Sequence, residues 1–247
     1  MRRFYESESF FNSKSSGEAL VGYRDYDAEE NVRRRTARSR LQEIESLFPP
    51  NEKLKLLKIA CGYGTLVKLA RDRGHMAEGI DISEAMVKKA REVNGLNLIQ
   101  ANFLDHDFGS QKYDVILLYG AINNFLKPLE VAEKIFGLLK PGGFYITNHM
   151  WLNSAPEKIQ GKSYWIYRPP IVAIFPRKEF KRRHEALGFE VEKTKSDTQY
   201  HSLDQIFGFI QIRSLIKLVE LLRIGRFGLT MPTPGYEKVF FKKQGPV

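Results

Sequence analysis

From Leu56 to Thr65 the chain reads Leu-Leu-Lys-Ile-Ala-Cys-Gly-Tyr-Gly-Thr. An apolar, strand-like run breaks into Gly-x-Gly and passes straight into a helical pattern. Open parallel sheets present their ligand sites at the carboxyl ends of strands, in turns of this kind. Gly62 and Gly64 let the backbone bend there and let a ligand approach closely. Asp81 closes the next strand-like run, 17 residues after Gly64. A carboxylate in that place can accept both hydroxyl protons of a ribose. The pair of turns reads as a nucleoside site.

The rest of the chain agrees with a sheet covered on both faces. A helix is expected over Asp27–Phe48, with Val32, Ala37, Leu41, Ile44 and Leu47 on its apolar stripe and Pro49-Pro50 as its stop. Strands are expected at Lys55–Ala60, Met76–Ile80, Asn97–Ala101, Tyr113–Tyr119 and Phe144–His149. Helices are expected between them at Thr65–Arg73, from the N-cap Ser83 to about Val93, and at Pro128–Leu139. Strand–helix alternation argues a doubly wound α/β fold with a mostly parallel sheet. Two late strands, Phe189–Thr194 and Tyr236–Lys242, would bring the sheet to seven and form a hairpin at its edge. The chain divides into an N-terminal arm and helix (1–50), a Rossmann-like core (51–150), and a substrate cap with the last two strands (151–247). Within the last part, Asn153–Ile174 is irregular and aromatic, and Leu203–Ile224 reads as an interrupted helix.

The turn narrows the ligand. A dinucleotide turn needs a third small residue, but here Gly62-Tyr63-Gly64 is followed by Thr65-Leu66-Val67. No phosphate loop of the Gly-x-x-x-x-Gly-Lys-Ser/Thr type is present. Gly79-Ile80-Asp81-Ile82-Ser83 and Leu139-Lys140-Pro141-Gly142-Gly143 complete the pattern. With these motifs at these spacings, Lys55–His149 resembles the class I S-adenosylmethionine-dependent methyltransferases. The flanks, Tyr23–Leu47 and Trp165–Phe175, look like those of small-molecule members with a helical arm and a cap.

The resemblance implies that S-adenosylmethionine is the cofactor and S-adenosylhomocysteine the product. Ala60, Cys61, Gly62 and Gly64 would wrap the methionine part. Asp81 would hold the ribose, and Ile82 would pack on the adenine. Asn102 and Phe103 would meet the adenine edge and face, and Tyr119 would line the methyl-donor side. Lys58 stands where the family has an acid near the cofactor's ammonium group; turned inward it would repel both the ammonium and the sulfonium, and the plainer expectation is that its long stem carries the charge out to solvent. Ala60 replaces a usual Gly, Asn102 a frequent Asp, and Asn123-Asn124 a frequent Glu-His.

Methyl transfer to a hydroxyl needs alignment and usually a base. His149 is the first candidate base, with Tyr119 and Asn123 orienting the acceptor; His201 with Tyr200 is the second. No metal is expected. The region after Tyr119 reads Gly-Ala-Ile, not the Pro-Pro-aromatic run of enzymes that methylate base amines. Of the net charge of +10, +8 falls in residues 151–247, which keeps an anionic partner open. We expect a small-molecule substrate rather than nucleic acid. The basic, amphipathic stretch 211–223 leaves peripheral membrane contact open, though burial within its own domain is the commoner fate of such a helix. One cysteine, no apolar run near the roughly 20 residues of a membrane helix, and no apolar signal core at the start point to the cytoplasm. A small-molecule O-methyltransferase is favoured; a binder that has lost its chemistry and a nucleic-acid methyltransferase stay open. The acceptor and the oligomeric state are not readable.

Overall fold

A computed structural model describes residues 30–167, 169–203 and 228–245. Helix α1 spans Glu30–Glu45 and buries Thr36, Ala37, Leu41 and Ile44, the stripe expected from their spacing. The core then runs β1 (Lys55–Ile59), α2 (Thr65–Asp72), β2 (Met76–Asp81), α3 (Glu84–Asn94), β3 (Ile99–Gln100) and β4 (Tyr113–Leu118). After a short 3-10 turn at Ile122–Asn124 come α4 (Pro128–Leu138) and β5 (Leu139–Met150). Helices α5 (Ala155–Gln160) and α6 (Arg177–Glu185) precede β6 (Phe189–Ser202) and β7 (Gly228–Lys243). Local chemistry sets the boundaries. Ser83 caps α3 by accepting from the Met86 N–H, Gly95 ends it at φ 63°, and Pro128 opens α4.

The seven strands lie in the order β3-β2-β1-β4-β5-β7-β6. β1 to β5 are parallel, and β7 runs antiparallel to both β5 and β6. Strand order therefore reverses between β1 and β4, and a crevice opens where their carboxyl ends part. One face of the sheet packs on α4 and α6 through Val131, Ile135, Leu138 and Phe180. The other packs on α1, α2 and α3 through Leu41, Ile44, Val67, Ala70 and Ala90.

Four strands differ from expectation. β5 begins at Leu139, not Phe144, because Lys140–Gly143 stays in the sheet as a bulge: the register jumps from Tyr113↔Leu139 to Val115↔Phe144. Gly143 makes this close fit, since a Cβ there would stand 2.9 Å from the Asp114 carbonyl. β6 and β7 are longer than their alternating segments because they pair with each other across irregularities at Val191/Lys193 and Ser196/Thr198. β3 shrinks to two residues at the sheet edge. Among the described residues no helix is long and apolar enough to cross a membrane. The expected arm before Glu30 and nearly all of the helix expected at Leu203–Ile224 lie outside the described residues.

Two histidines sit deep in the layer between sheet and α6. His149 stacks on Phe180 at 3.9 Å, and His184 on Phe241 at 4.4 Å. Burial, then the positive neighbours His184, Lys181 and Arg177, lowers the pKa of His149 to about 3. Burial lowers that of His184 to about 4. In the unfolded chain both titrate near 6.5. Below that pH the unfolded state binds more protons, so stability is full above about 6.5 and falls as the pH drops towards 4 and 3. Each group contributes up to about 1.4 kcal/mol per pH unit. Urea unfolding across this window should show the loss, and His184→Phe should flatten it; an unchanged slope in that variant would contradict the assignment.

Candidate cofactor site

β1 ends at Ile59, and the next five residues make the turn. Ala60, Gly62 and Gly64 all adopt left-handed backbone, with φ of 50°, 54° and 72°. Ala60 is the strained member, because a side chain disfavours that region. Gly64 has no room for one: a Cβ would come within 2.6 Å of Leu96. The Gly64 N–H closes the turn on the Cys61 carbonyl at 2.9 Å, and α2 starts at once. Asp81, at the end of β2, braces this loop. Its Oδ2 accepts the Gly62 N–H at 2.8 Å and its Oδ1 the Ser83 N–H at 3.0 Å. Burial raises its pKa against the pull of those donors and of Lys58. Each oxygen keeps a lone pair for a further donor.

The other wall comes from β4. Lys58 pairs with Leu117 across the parallel ladder, so two residues on, Tyr119 stands level with Ala60. The Tyr119 ring is buried, and its hydroxyl has no hydrogen-bond partner among the described residues. Burial drives its pKa far upward, so it stays a phenol and acts as a donor. The Arg40 guanidinium of α1 lies 4.0 Å above the ring. Arg40 was not singled out from the sequence; the signal was the polar series Thr36, Arg40, Glu43 running along a helix that buries its apolar side.

Lys58 does not reach solvent as expected. Its side chain is buried, and Nζ donates to the Ile59 carbonyl at 2.6 Å and the Ala60 carbonyl at 3.0 Å. α1 covers this face of the sheet, so the ammonium turns back onto the turn instead. Burial lowers its pKa to about 8; Arg40 adds to the lowering, while Cys61 and Asp81 oppose it.

The remaining candidates separate. Ile82 is half-buried at the mouth of α3. Asn102 uses its amide within its own turn, donating to Asp105 at 2.7 Å and accepting from Leu104. Phe103 points into the core against Phe108 at 5.7 Å, not towards an adenine. Its aromatic ring finds more apolar contact inside the sheet–α4 layer than at the crevice. Asn123 is spent on a clamp: its amide bonds the Met150 N–H and the Ala173 carbonyl, tying the turn after β4 to the segment after β5. His149 lies on the sheet face opposite Tyr119 and is fully buried. The structure thus keeps the two candidate catalytic groups apart, and His149 is no open base at the crevice. Tyr200 and His201 sit on β6; the Tyr200 N–H donates to Thr36 of α1, and His201 Nε2 lies 3.2 Å from Thr233 Oγ1. Within the irregular, aromatic stretch, Tyr164 and Ile166 pack with Met150, while Tyr167 is half exposed.

This topology, with a glycine turn after β1 and an acid after β2, accompanies a sequence match over residues 28–194 to the family described as "Methyltransferase domain". The chain belongs to that family. It is an S-adenosylmethionine-dependent methyltransferase of class I. It is similar to the demethylmenaquinone methyltransferase of Staphylococcus carnosus, 23% identical over 69% of this chain and 75% of that protein. It is also similar to the ubiquinone biosynthesis O-methyltransferase of Leptothrix cholodnii, 26% identical over 42% of this chain and 48% of that one. Among solved structures, magnesium protoporphyrin IX methyltransferase from Synechocystis, with bound S-adenosylhomocysteine, superimposes with a TM-score of 0.62. The identity there is 14%, over 98% of each chain, and the likeness is one of fold.

The residues present fit the cofactor. Asp81 has spare acceptor capacity for a ribose, the two glycines open the backbone, and the orphan Tyr119 hydroxyl waits for a partner. Lys58 alone sets an unfavourable charge beside a cationic ligand. Asp81→Asn halves the acceptor capacity and should weaken S-adenosylmethionine and S-adenosylhomocysteine in parallel, each by about tenfold. Calorimetric titration checks this; unchanged affinity for both would remove Asp81 from the site.

Proposed function

We propose that this methyltransferase acts on a small molecule and transfers the methyl group to a hydroxyl oxygen. The observation that carries the reading is the buried Tyr119 hydroxyl, unpartnered and level with the Gly62–Gly64 turn across β1 and β4. When bound, the cofactor would supply an electrophilic methyl group on a sulfonium: the acceptor oxygen would take the methyl in line, the neutral thioether would leave as S-adenosylhomocysteine, and the hydroxyl proton would pass to solvent. Tyr119 is proposed to orient that oxygen by donating to it. Asn123 and His149 serve as positioning residues. Asn123 clamps the segment after β5 against the turn after β4, and His149 seats α6 through Phe180.

The acceptor class follows from the relatives' names. Demethylmenaquinone, ubiquinone precursors and magnesium protoporphyrin IX are ring systems with flat, largely apolar faces. The segment after Trp151, seated through Tyr164 and Ile166 against Met150 and presenting the exposed Tyr167, would cap such a ring. The basic excess of residues 151–247 is the sole support for nucleic acid, so that class ranks below. The single cysteine and the class of acceptor go with a cytoplasmic setting.

A second reading has its own observation. Buried Lys58 disfavours a cationic cofactor, as in a binder whose turnover has been lost. Methyl-labelled S-adenosylmethionine, offered with a panel of quinols and simple phenols, separates the two. The expected result is label in an ether oxygen, with Tyr119→Phe lowering kcat about tenfold or more and leaving cofactor affinity close to wild type. Cofactor binding without transfer to any oxygen in the panel would favour the second reading.

A further inference from the structure

Lys58 is a buried cation, and among the described residues no carboxylate lies within ion-pair distance of it. Its ammonium is held by two backbone carbonyls at the turn, and Asp81 acts on it only from further off. Arg40, its cationic neighbour across the Tyr119 ring, is by contrast paired with Asp197 at 3.0 Å. The cation beside the turn that has no ion pair among the described residues is therefore Lys58.

We propose that Lys58 is a charge filter: while protonated, it disfavours the sulfonium S-adenosylmethionine relative to the neutral thioether S-adenosylhomocysteine. The inference rests on the reading of the Gly62–Gly64 turn and Asp81 as the cofactor site. The two ligands share adenine, ribose, amino group and carboxylate. Everything Lys58 does to those shared parts cancels in the ratio of their affinities. What remains is the charge on sulfur and one methyl group. Two like charges several ångströms apart in a partly buried site repel enough to change an equilibrium by about tenfold or more.

The charge also has a natural way to be switched off. Facing Lys58 are Asp81 from the end of β2 and Arg40 from α1, with Cys61 in the turn itself and Tyr119 beyond β4. Burial pushes the Cys61 thiol and the Tyr119 phenol upward, so both stay neutral as the pH rises through 8. Lys58 loses its proton in that range. The ligands' own amino groups titrate nearby, but identically in both, and so leave the ratio alone.

The test is calorimetric titration of wild type, Lys58→Met, Lys58→Gln and Asp81→Asn with each ligand. At neutral pH the wild type should favour S-adenosylhomocysteine by about tenfold or more. Both Lys58 variants should shrink that ratio, chiefly by tightening S-adenosylmethionine; Asp81→Asn, which removes a negative charge facing Lys58, should weaken both ligands and leave the preference for S-adenosylhomocysteine in place or enlarged. Lys58→Gln keeps a donor for the Ile59 and Ala60 carbonyls, should Lys58→Met fail to fold. In the wild type the ratio should also fall as the pH rises through 8, a reading that needs no variant. Binding of both ligands with a wild-type ratio within about twofold, or a ratio unmoved by pH and by either Lys58 substitution, overturns the filter alone. Binding of neither ligand by the wild type overturns the cofactor site, and the filter with it.

Discussion

Asp197 joins three parts of the molecule at one buried carboxylate. It accepts from Arg40 of α1 at 3.0 Å, from Asn148 of β5 at 2.6 Å and from Gln199 of its own strand at 2.7 Å. Asn148 in turn holds the Gly120 N–H, just past β4. Burial alone would raise the pKa of Asp197, but Arg40 and Lys238 outweigh it and hold the group below the usual carboxylate range. A fully buried, paired carboxylate is costly to lose, because Arg40 is then left as a cation without its partner and the two amides lose their acceptor. α1 therefore stays pressed on the sheet, and two features of the crevice follow from it. Arg40 is held over Tyr119, and Lys58 has no path outward.

The alternation of strands and helices, the glycine turn and the acid after β2 were all legible in the sequence. Each is written in local spacing, and the glycine turn and the acid stand where that spacing puts them. What was not legible depends on contacts across the chain. The fate of the Lys58 stem is decided by a helix that ends a dozen residues before it and by a carboxylate 139 positions after it. The side taken by His149 is a matter of parity. It shares a face with Tyr145, whereas Tyr119 shares the opposite face with Val115 and Leu117. Alternation within each strand is readable, but the relative parity of β4 and β5 depends on the bulge at Lys140–Gly143. Asn123 looked like a group free to meet a substrate, since nothing nearby in sequence announces that Met150 and Ala173 consume its amide.

The crevice thus combines an ordinary architecture with an unusual distribution of charge. Backbone geometry and one carboxylate provide the means of holding a nucleoside, and these belong to the fold. The cations around Tyr119 belong to this chain, and they bear on ligand charge rather than ligand shape. A site of this kind can retain its recognition of the common part of two ligands while ranking them by a single unit of charge.

The turn also carries the chain's only thiol. Cys61 Sγ lies so close to Gly79 that a Cβ on that glycine would stand 2.9 Å from it. Burial keeps the sulfur protonated, which removes the thiolate that oxidants and disulfides attack. Added oxygen atoms would have to wedge β1 from β2 at the base of the cradle. The turn's sulfur is thereby a poor nucleophile at neutral pH, and an oxidant finds little thiolate there to attack.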